Sequence, residues 1–304
     1  MNSQRIVIAG GSGFIGSALA DELVGRGGEV IVLTRRARRR NDGVREVVWD
    51  GEHAGDWIQF LDGAEAVVNL TGKSINCRHT PENLREIISS RVNSVNALAA
   101  AIGQLKIPPR VWVQASATGF YGDTKDNVCD ENSPAGNDAL AGICQQWEAA
   151  CAAATVPQTR KVILRIGFVL GHGGGALPVL SKLTKLFLGG AVGNGRQFIS
   201  WIHLADLVRM FDAVMADEKL VGTFNAVAPN PVTNAEFMRE LRRVLDRPWS
   251  PPAPEFAVKM GSRFLGSEAS LALVSQRCAP KRFQAAGVIF NFPELRPALE
   301  NLCW

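Results

Sequence analysis

One tyrosine occurs in the 304 residues, Tyr121, and a lysine stands four positions on in the stretch GFYGDTK. On a helix that spacing would put both side chains on one face. The ammonium would lower the phenol's pKa, and the pair could exchange a proton with a substrate hydroxyl or carbonyl oxygen. The neighbouring residues argue against this arrangement. Gly122 and Asp123 follow a strand-like run and favour a turn, where a spacing of four brings no two side chains together. The sequence therefore predicts Lys125 outside any site. Tyr121, at the end of its strand, keeps a place facing a cleft.

A second spacing carries different chemistry. Gly10, Gly13 and Gly16 in AGGSGFIG follow the strand-like RIVI and open a helix-like run. The first glycine permits a tight turn, the second lets the backbone approach a pyrophosphate, and the third lets helix and strand pack closely. The amides of Phe14 and Ile15 at the helix start would face the anion. This context predicts dinucleotide binding. The second strand then ends VLTRRARRR, with no acidic residue for a ribose 2′-hydroxyl. Thr34 offers a hydroxyl, and Arg35 and Arg36 offer guanidinium forks suited to a phosphate. The cofactor predicted is NADP(H).

The elements that position these residues alternate. Apolar, β-branched runs at 5–10, 29–35, 44–50, 64–72, 110–118 and 160–170 read as strands buried on both faces. Helix-like segments at 14–27, 82–103 and 138–154 separate most of them. That pattern predicts an α/β, doubly wound parallel-sheet Rossmann fold with right-handed crossovers. Beyond it, 173–190 reads as a glycine-bounded helix, 197–203 as a strand, 204–216 as a helix and 222–228 as a strand. Thr233 and Glu236 form a capping box before a helix at 234–246. The four prolines of 247–256 read as an extended linker, and a last helix follows Pro293. The expected division is a nucleotide-binding domain of 1–170 plus 201–228 and a smaller C-terminal substrate-side lobe of 171–200 plus 229–304.

Composition excludes several classes. Hydrophobic residues make up 46% and charged residues 20%, as in ordinary globular chains. No apolar run is long enough to span a bilayer, and no signal peptide precedes the first strand. The net charge is 33 − 29 = +4, and RRARRR (35–40) holds five positive charges, leaving −1 without it. The basicity is local, which argues against nucleic acid as a partner. Six cysteines and four histidines show no metal-ligand spacing, so no metal site is predicted. Reduced thiols point to a cytoplasmic protein, with an organelle matrix the alternative.

Together these motifs resemble the extended short-chain dehydrogenase/reductases, which include nucleoside-diphosphate-sugar epimerases and dehydratases. AGGSGFIG, with Ser12 in its turn, resembles their first loop. NLTG (69–72) resembles their N-L-A-G along the cofactor, and SATGFYG (116–122) the segment after their fifth strand. LRIGFVLG (164–171) resembles their segment near the nicotinamide, and FISWIHLADLV (198–208) the edge of their substrate cleft. WEAA, GGGA, GNGRQFISWIH and APNPVTNAEF resemble an atypical branch, the epimerase family proteins, and 248–302 resembles that branch's C-terminal lobe. The resemblance implies cofactor contacts at Thr34, Arg35, Leu70, Thr71, Gly72, Glu86, Arg91, Ala115, Gly167 and Phe168. It also implies a homodimer built on the helices at 82–103 and 138–154.

The resemblance also places the usual proton donor. Relatives carry Tyr-x-x-x-Lys-x-x-x-Glu on the helix here at 138–154. Counting back from Glu148 puts Cys144 at the lysine position and Leu140 at the tyrosine position. Neither can do that work. Ser116, or Ala117 in a shifted register, would bind the substrate oxygen. Tyr121 and His203 are the remaining candidate acids, the histidine because its pKa lies in the working range. Arg196 and Lys73 are candidates for a substrate phosphate. The reading is an NADP(H)-dependent oxidoreductase or epimerase acting on a small carbonyl, alcohol or sugar nucleotide. The alternative is a non-catalytic protein that senses NADPH or scaffolds a partner.

Overall fold

The computed structural model describes residues 4–258, 260, 268 and 270–303. Part of the expected C-terminal lobe, 261–267, lies outside the described residues. The first half alternates as β1 (Arg5–Ala9), α1 (Phe14–Gly25), β2 (Glu29–Thr34), β3 (Val44–Val48), β4 (Ala66–Asn69), α2 (Pro81–Ile102), β5 (Val111–Ala117), α3 (Ala139–Ala153) and β6 (Arg160–Ile166). Then come β7 (Phe168–Leu170), α4 (Leu177–Lys185), β8 (Phe198–Ile199), β9 (Trp201–His203), α5 (Leu204–Ala216), β10 (Gly222–Ala226), β11 (Val232–Thr233) and α6 (Asn234–Val244). A single helical turn at Ser270–Leu273 and two more helices, α7 (Lys281–Ala285) and α8 (Leu295–Cys303), lie near the C-terminus.

Seven strands form one parallel sheet in the order β10-β6-β5-β4-β1-β2-β3. Val7, Ile8, Val32, Val67, Val68, Val113 and Leu164 are fully buried, because helices cover both faces. This is why these strands read as continuous apolar runs without alternation. The order reverses between β1 and β4, where a doubly wound sheet opens its crevice at the carboxyl ends of the strands.

The run at 160–170, expected as one strand, divides at Gly167. β6 pairs with β10 in the main sheet, while β7 pairs with β9 in a separate two-stranded sheet. A Cβ on Gly167 would lie 2.3 Å from the Ser200 carbonyl oxygen, so only glycine admits β9 this closely. The expected strand at 197–203 divides as well, β8 pairing antiparallel with β11. The helix expected over 173–190 shortens to α4, because Gly173 and Gly175 take left-handed φ values of 75° and 69°.

A second apolar cluster lies apart from the sheet core. Leu170, Leu177, Trp201, Phe237, Leu241, Leu295, Leu299 and Leu302 join α6 and α8 to β7 and β9. The capping box forms as expected: Glu236 N donates to Thr233 Oγ1 at 3.2 Å, and Thr233 N donates to Glu236 Oε2 at 2.8 Å.

Candidate functional site

The glycine loop joins β1 to α1 at the reversal point of the sheet. Gly10 has φ 76°, and a Cβ there would sit 3.0 Å from Leu70 C and Thr71 N at the end of β4. A Cβ on Gly16 would meet Gly11 Cα at 2.5 Å, so helix and loop touch through backbone alone. Gly13 differs, since its nearest atom would be Gly10 O at 3.4 Å. That side is open for a ligand. Gly13 caps α1 without a side-chain hydrogen bond, and the first turn carries no acidic residue. The amides of Phe14, Ile15 and Gly16 therefore start a helix with no carboxylate in the way of an anion. The Phe14 ring is held by the glycine run after β7, where a Cβ on Gly174 would come within 2.4 Å of it.

At the end of β2, the Ser12 and Thr34 hydroxyls share a hydrogen bond of 3.0 Å. They line an open cleft with Arg35, Arg36, Arg38, Arg39, Arg40 and Glu46. Arg40 is committed to Asp42 at 2.5 Å and Asp21 at 3.2 Å, and Glu46 accepts from the Arg38 amide at 2.7 Å. Arg35 and Arg36 have no ion pair among the described residues, so both forks remain available.

The loop after β4 is built from inside. Buried Asn69 donates to Gln114 Oε1 at 3.0 Å and accepts from the Thr71 amide at 3.1 Å. Thr71 Oγ1 is buried with no hydrogen-bond partner among the described residues. Leu70 packs on the sheet core. Arg91, on α2, donates from Nη1 to Lys73 O at 2.9 Å, and its guanidinium lies 4.9 Å from the Trp147 ring centroid. Gly72 makes this fit, because a Cβ there would meet Arg91 Cζ at 2.9 Å. Burial pulls the Arg91 pKa down, partly offset by the nearby Cys144. Glu86 pairs with the Lys73 ammonium, which also donates to Asn83 Oδ1 at 2.7 Å.

Beyond β4, one hydrogen-bonded chain ties β5, α3, β6 and β10 together. Ser116 Oγ donates to Glu148 Oε1 at 2.6 Å. Glu148 also receives Arg165 Nε at 2.9 Å and Nη2 at 2.8 Å. Arg165 Nη1 donates to the Tyr121 hydroxyl at 2.9 Å, and that hydroxyl donates to Asn225 Oδ1 at 2.7 Å. The Arg165 guanidinium rests 3.4 Å from the Phe120 ring centroid.

The place expected for Tyr121, facing the cleft, needs correction. Tyr121 is 4% exposed, its hydroxyl is spent on Arg165 and Asn225, and burial pushes its pKa above the ordinary phenol value. The short helical turn at Thr118–Tyr121 and the positive φ of Gly122 turn the ring inward. Lys125 is exposed with φ 51°, its carbonyl accepting from Ser275 Oγ at 2.6 Å. The Y-x-x-x-K spelling thus spans a turn, as its glycine and aspartate imply.

His203 is held on both ring nitrogens. Nδ1 accepts from the Ala205 amide at 3.1 Å as the N-cap of α5, and Nε2 faces Asn301 Oδ1 at 3.2 Å. The ring stacks on Phe292 with centroids 3.9 Å apart, and burial lowers its pKa. Ala115 lends its carbonyl to Gln114 Nε2 at 2.9 Å. The amides of Gly167 and Phe168 donate to Ala226 O and Ser200 O, and the Phe168 ring packs edge-on against Phe237. Arg196 is exposed at the tip of 193–197.

On α3, Leu140 and Cys144, the two positions counted back from Glu148, converge on Gly119 just beyond the carboxyl end of β5. Burial raises the Cys144 pKa to about 11, with Glu148 adding to it. A third side chain reaches the same point from the C-terminal segment, Gln276. A Cβ on Gly119 would sit 3.6 Å from Cys144 Sγ, 3.7 Å from Leu140 Cβ and 3.8 Å from Gln276 Nε2. No motif surrounds Gln276 in the sequence, so only the folded chain reveals it.

Residues 6–226 match the model of the NAD dependent epimerase/dehydratase family. The chain belongs to this family. Residues 253–302 match a second model, a domain of unknown function (DUF1731). The epimerase family protein SDR39U1 homolog of Arabidopsis thaliana, described as chloroplastic, is 35% identical over 99% of this chain and 87% of its own. The crystal structure of human SDR39U1 with NADPH superposes with TM-score 0.88 at 33% identity, covering 98% of this chain and 99% of that one. A nucleoside-diphosphate sugar epimerase from Corynebacterium glutamicum gives 0.78 at 32% identity, covering 98% of this chain and 57% of that one. Membership accounts for the seven-stranded sheet and the glycine loop at its reversal point. No helix among the described residues is long and apolar enough to cross a membrane.

Proposed function

We propose that the protein is an NADPH-binding oxidoreductase or epimerase-like enzyme acting on a carbonyl, an alcohol or a sugar nucleotide. The observation that carries the cofactor choice is the end of β2. Two arginines without ion pairs among the described residues stand beside paired hydroxyls, and Glu46, the carboxylate that lines the cleft, is taken up by the Arg38 amide. The human relative crystallised with NADPH supports the same choice. Gly10, Gly13 and the amides of Phe14, Ile15 and Gly16 would hold the diphosphate. Ser12, Thr34, Arg35 and Arg36 would hold the 2′-phosphate. The unpartnered Thr71 hydroxyl, with Leu70 and Gly72, would line the path of the dinucleotide. Arg91 and Glu86 would brace that loop, and Ala115, Gly167 and Phe168 would border the nicotinamide. When bound, the cofactor supplies hydride chemistry; the protein supplies binding and orientation.

The acid of the proposed reaction is neither Tyr121 nor His203, since both are hydrogen-bonded into the fold. Ser116 orients Glu148 rather than donating freely to a substrate. Six unpaired cysteines support a reducing, cytoplasmic setting. Titration should give tighter binding of NADPH than NADH. Arg35→Asp should weaken NADPH at least tenfold and move the preference toward NADH, and equal affinities in the native protein would sink the cofactor assignment. One observation favours a second reading, a non-catalytic NADPH sensor: α3 offers Leu140 and Cys144 where relatives place their proton donor. Oxidation of NADPH with any member of a broad carbonyl and sugar-nucleotide panel would rule that reading out.

A further inference from the structure

Among the described residues, the convergence over Gly119 contains one uncommitted polar group. Ser116 is bound to Glu148, and the phenol of Tyr121 is enclosed. Leu140 has no polar atom, and the Cys144 thiol is buried. Gln276 is different. Thr118 Oγ1 donates to its Oε1 at 2.7 Å. Its Nε2 has no hydrogen-bond partner among the described residues and lies at the carboxyl end of β5. Its backbone is fixed too, since the Gln276 amide donates to Phe198 O at 2.9 Å and its carbonyl accepts from Ser200 Oγ at 2.7 Å. The flanking residues are equally tied: Ser275 to Lys125 O, and Cys278 N to Ser200 Oγ. This half-buried amide places its two N–H donors at the point beyond β5 where Leu140 and Cys144 also converge on Gly119.

We propose that Gln276 is a catalytic residue, its Nε2 donating a hydrogen bond to the substrate oxygen in the place left by the missing tyrosine and lysine. The assignment rests on the oxidoreductase reading above. It gives the segment matched as a domain of unknown function a defined task, that of delivering a donor into the nucleotide-binding crevice. An amide does not release its proton. Its part is to stabilise negative charge as it grows on the oxygen. Bound NADPH would supply the hydride to the carbonyl carbon, leaving as NADP+, and the alkoxide so formed would take its proton from water, giving the alcohol and hydroxide.

The native protein, loaded with NADPH, is assayed against the same broad carbonyl and sugar-nucleotide panel beside Q276A, Q276E and T118V. The Q276E side chain keeps an oxygen for Thr118 and loses the donor. Both Gln276 variants should lose on the order of 100-fold in kcat, with NADPH affinity unchanged within twofold. Q276E activity should recover as pH falls and its carboxyl gains a proton to donate, a response that a purely structural role would not produce. T118V, which frees the amide to turn, should lose less. A readout independent of turnover is the side-chain amide resonance pair of Gln276, identified by its disappearance in Q276E. It should shift when ketone is added to protein loaded with NADP+. Full activity in Q276A and Q276E, or no shift of this resonance, overturns the assignment and leaves the oxidoreductase reading intact. Absence of any NADPH oxidation by the native protein counts against that reading, and through it against this one.

Discussion

Tyr121 illustrates how a residue's type and its surroundings can point in opposite directions. A phenol four positions from a lysine has the right chemistry, yet its hydroxyl donates to Asn225 and accepts from Arg165. Tyr121→Phe should therefore leave any turnover unchanged within about twofold while lowering stability by about 1–3 kcal/mol, the cost of unpairing two buried groups. Urea denaturation and a steady-state assay on the same protein check both halves. His203 makes a pH-dependent contribution instead. Burial lowers its folded pKa below the ordinary value near 6.5, the charge of Asp206 opposing this in part. The unfolded chain therefore binds the extra proton first as pH falls, and stability drops between the unfolded and folded pKa values. His203→Gln should flatten that part of the curve, as measured by denaturation midpoints at pH 7.5 and 5.5.

Elements follow their local signals where those signals are strong. The capping box before α6 was legible as T-x-x-E, and both reciprocal hydrogen bonds form. Thr233→Ala should cost about 1 kcal/mol, readable as a lower denaturation midpoint at unchanged slope. The strands buried on both faces were legible as apolar runs because helices cover the sheet on either side. The divided strand at Gly167 was not. Its interruption comes from the carbonyl of Ser200, which lies 33 positions on in the chain and approaches only after β9 docks. Likewise GGGA could not read as a break before α4 without the Phe14 ring that it packs around.

At the scale of the molecule, the Arg165–Glu148 pair is the joint between α3 and the sheet. It is buried, with side chains 7% and 11% exposed, and bidentate. Removing one partner leaves an uncompensated charge in the interior. Glu148→Gln should cost about 3–5 kcal/mol and release Ser116 from its acceptor. Replacing both partners by apolar residues of similar size should cost much less. A double-mutant cycle on thermal unfolding separates the two. NADPH binds only the folded chain in this reading, so at 100 times its Kd it should add about 2.7 kcal/mol to each stable variant.

The sequence by itself determined the doubly wound sheet, the glycine loop and the cationic end of β2, because each is written in residues close together in the chain and governed by local backbone rules. It also determined that α3 lacks a tyrosine and a lysine. Tertiary structure alone decided which polar groups remain available. Ser116, Tyr121 and His203 are all reactive types, yet each is paired with residues 32, 44 and 98 positions away. Gln276 carries no motif, and its Nε2 has no hydrogen-bond partner among the described residues, while Thr118, 158 positions earlier, holds its other end. Hydrogen bonding in a packed interior is a property of neighbours in space, and a linear chain does not state who those neighbours are.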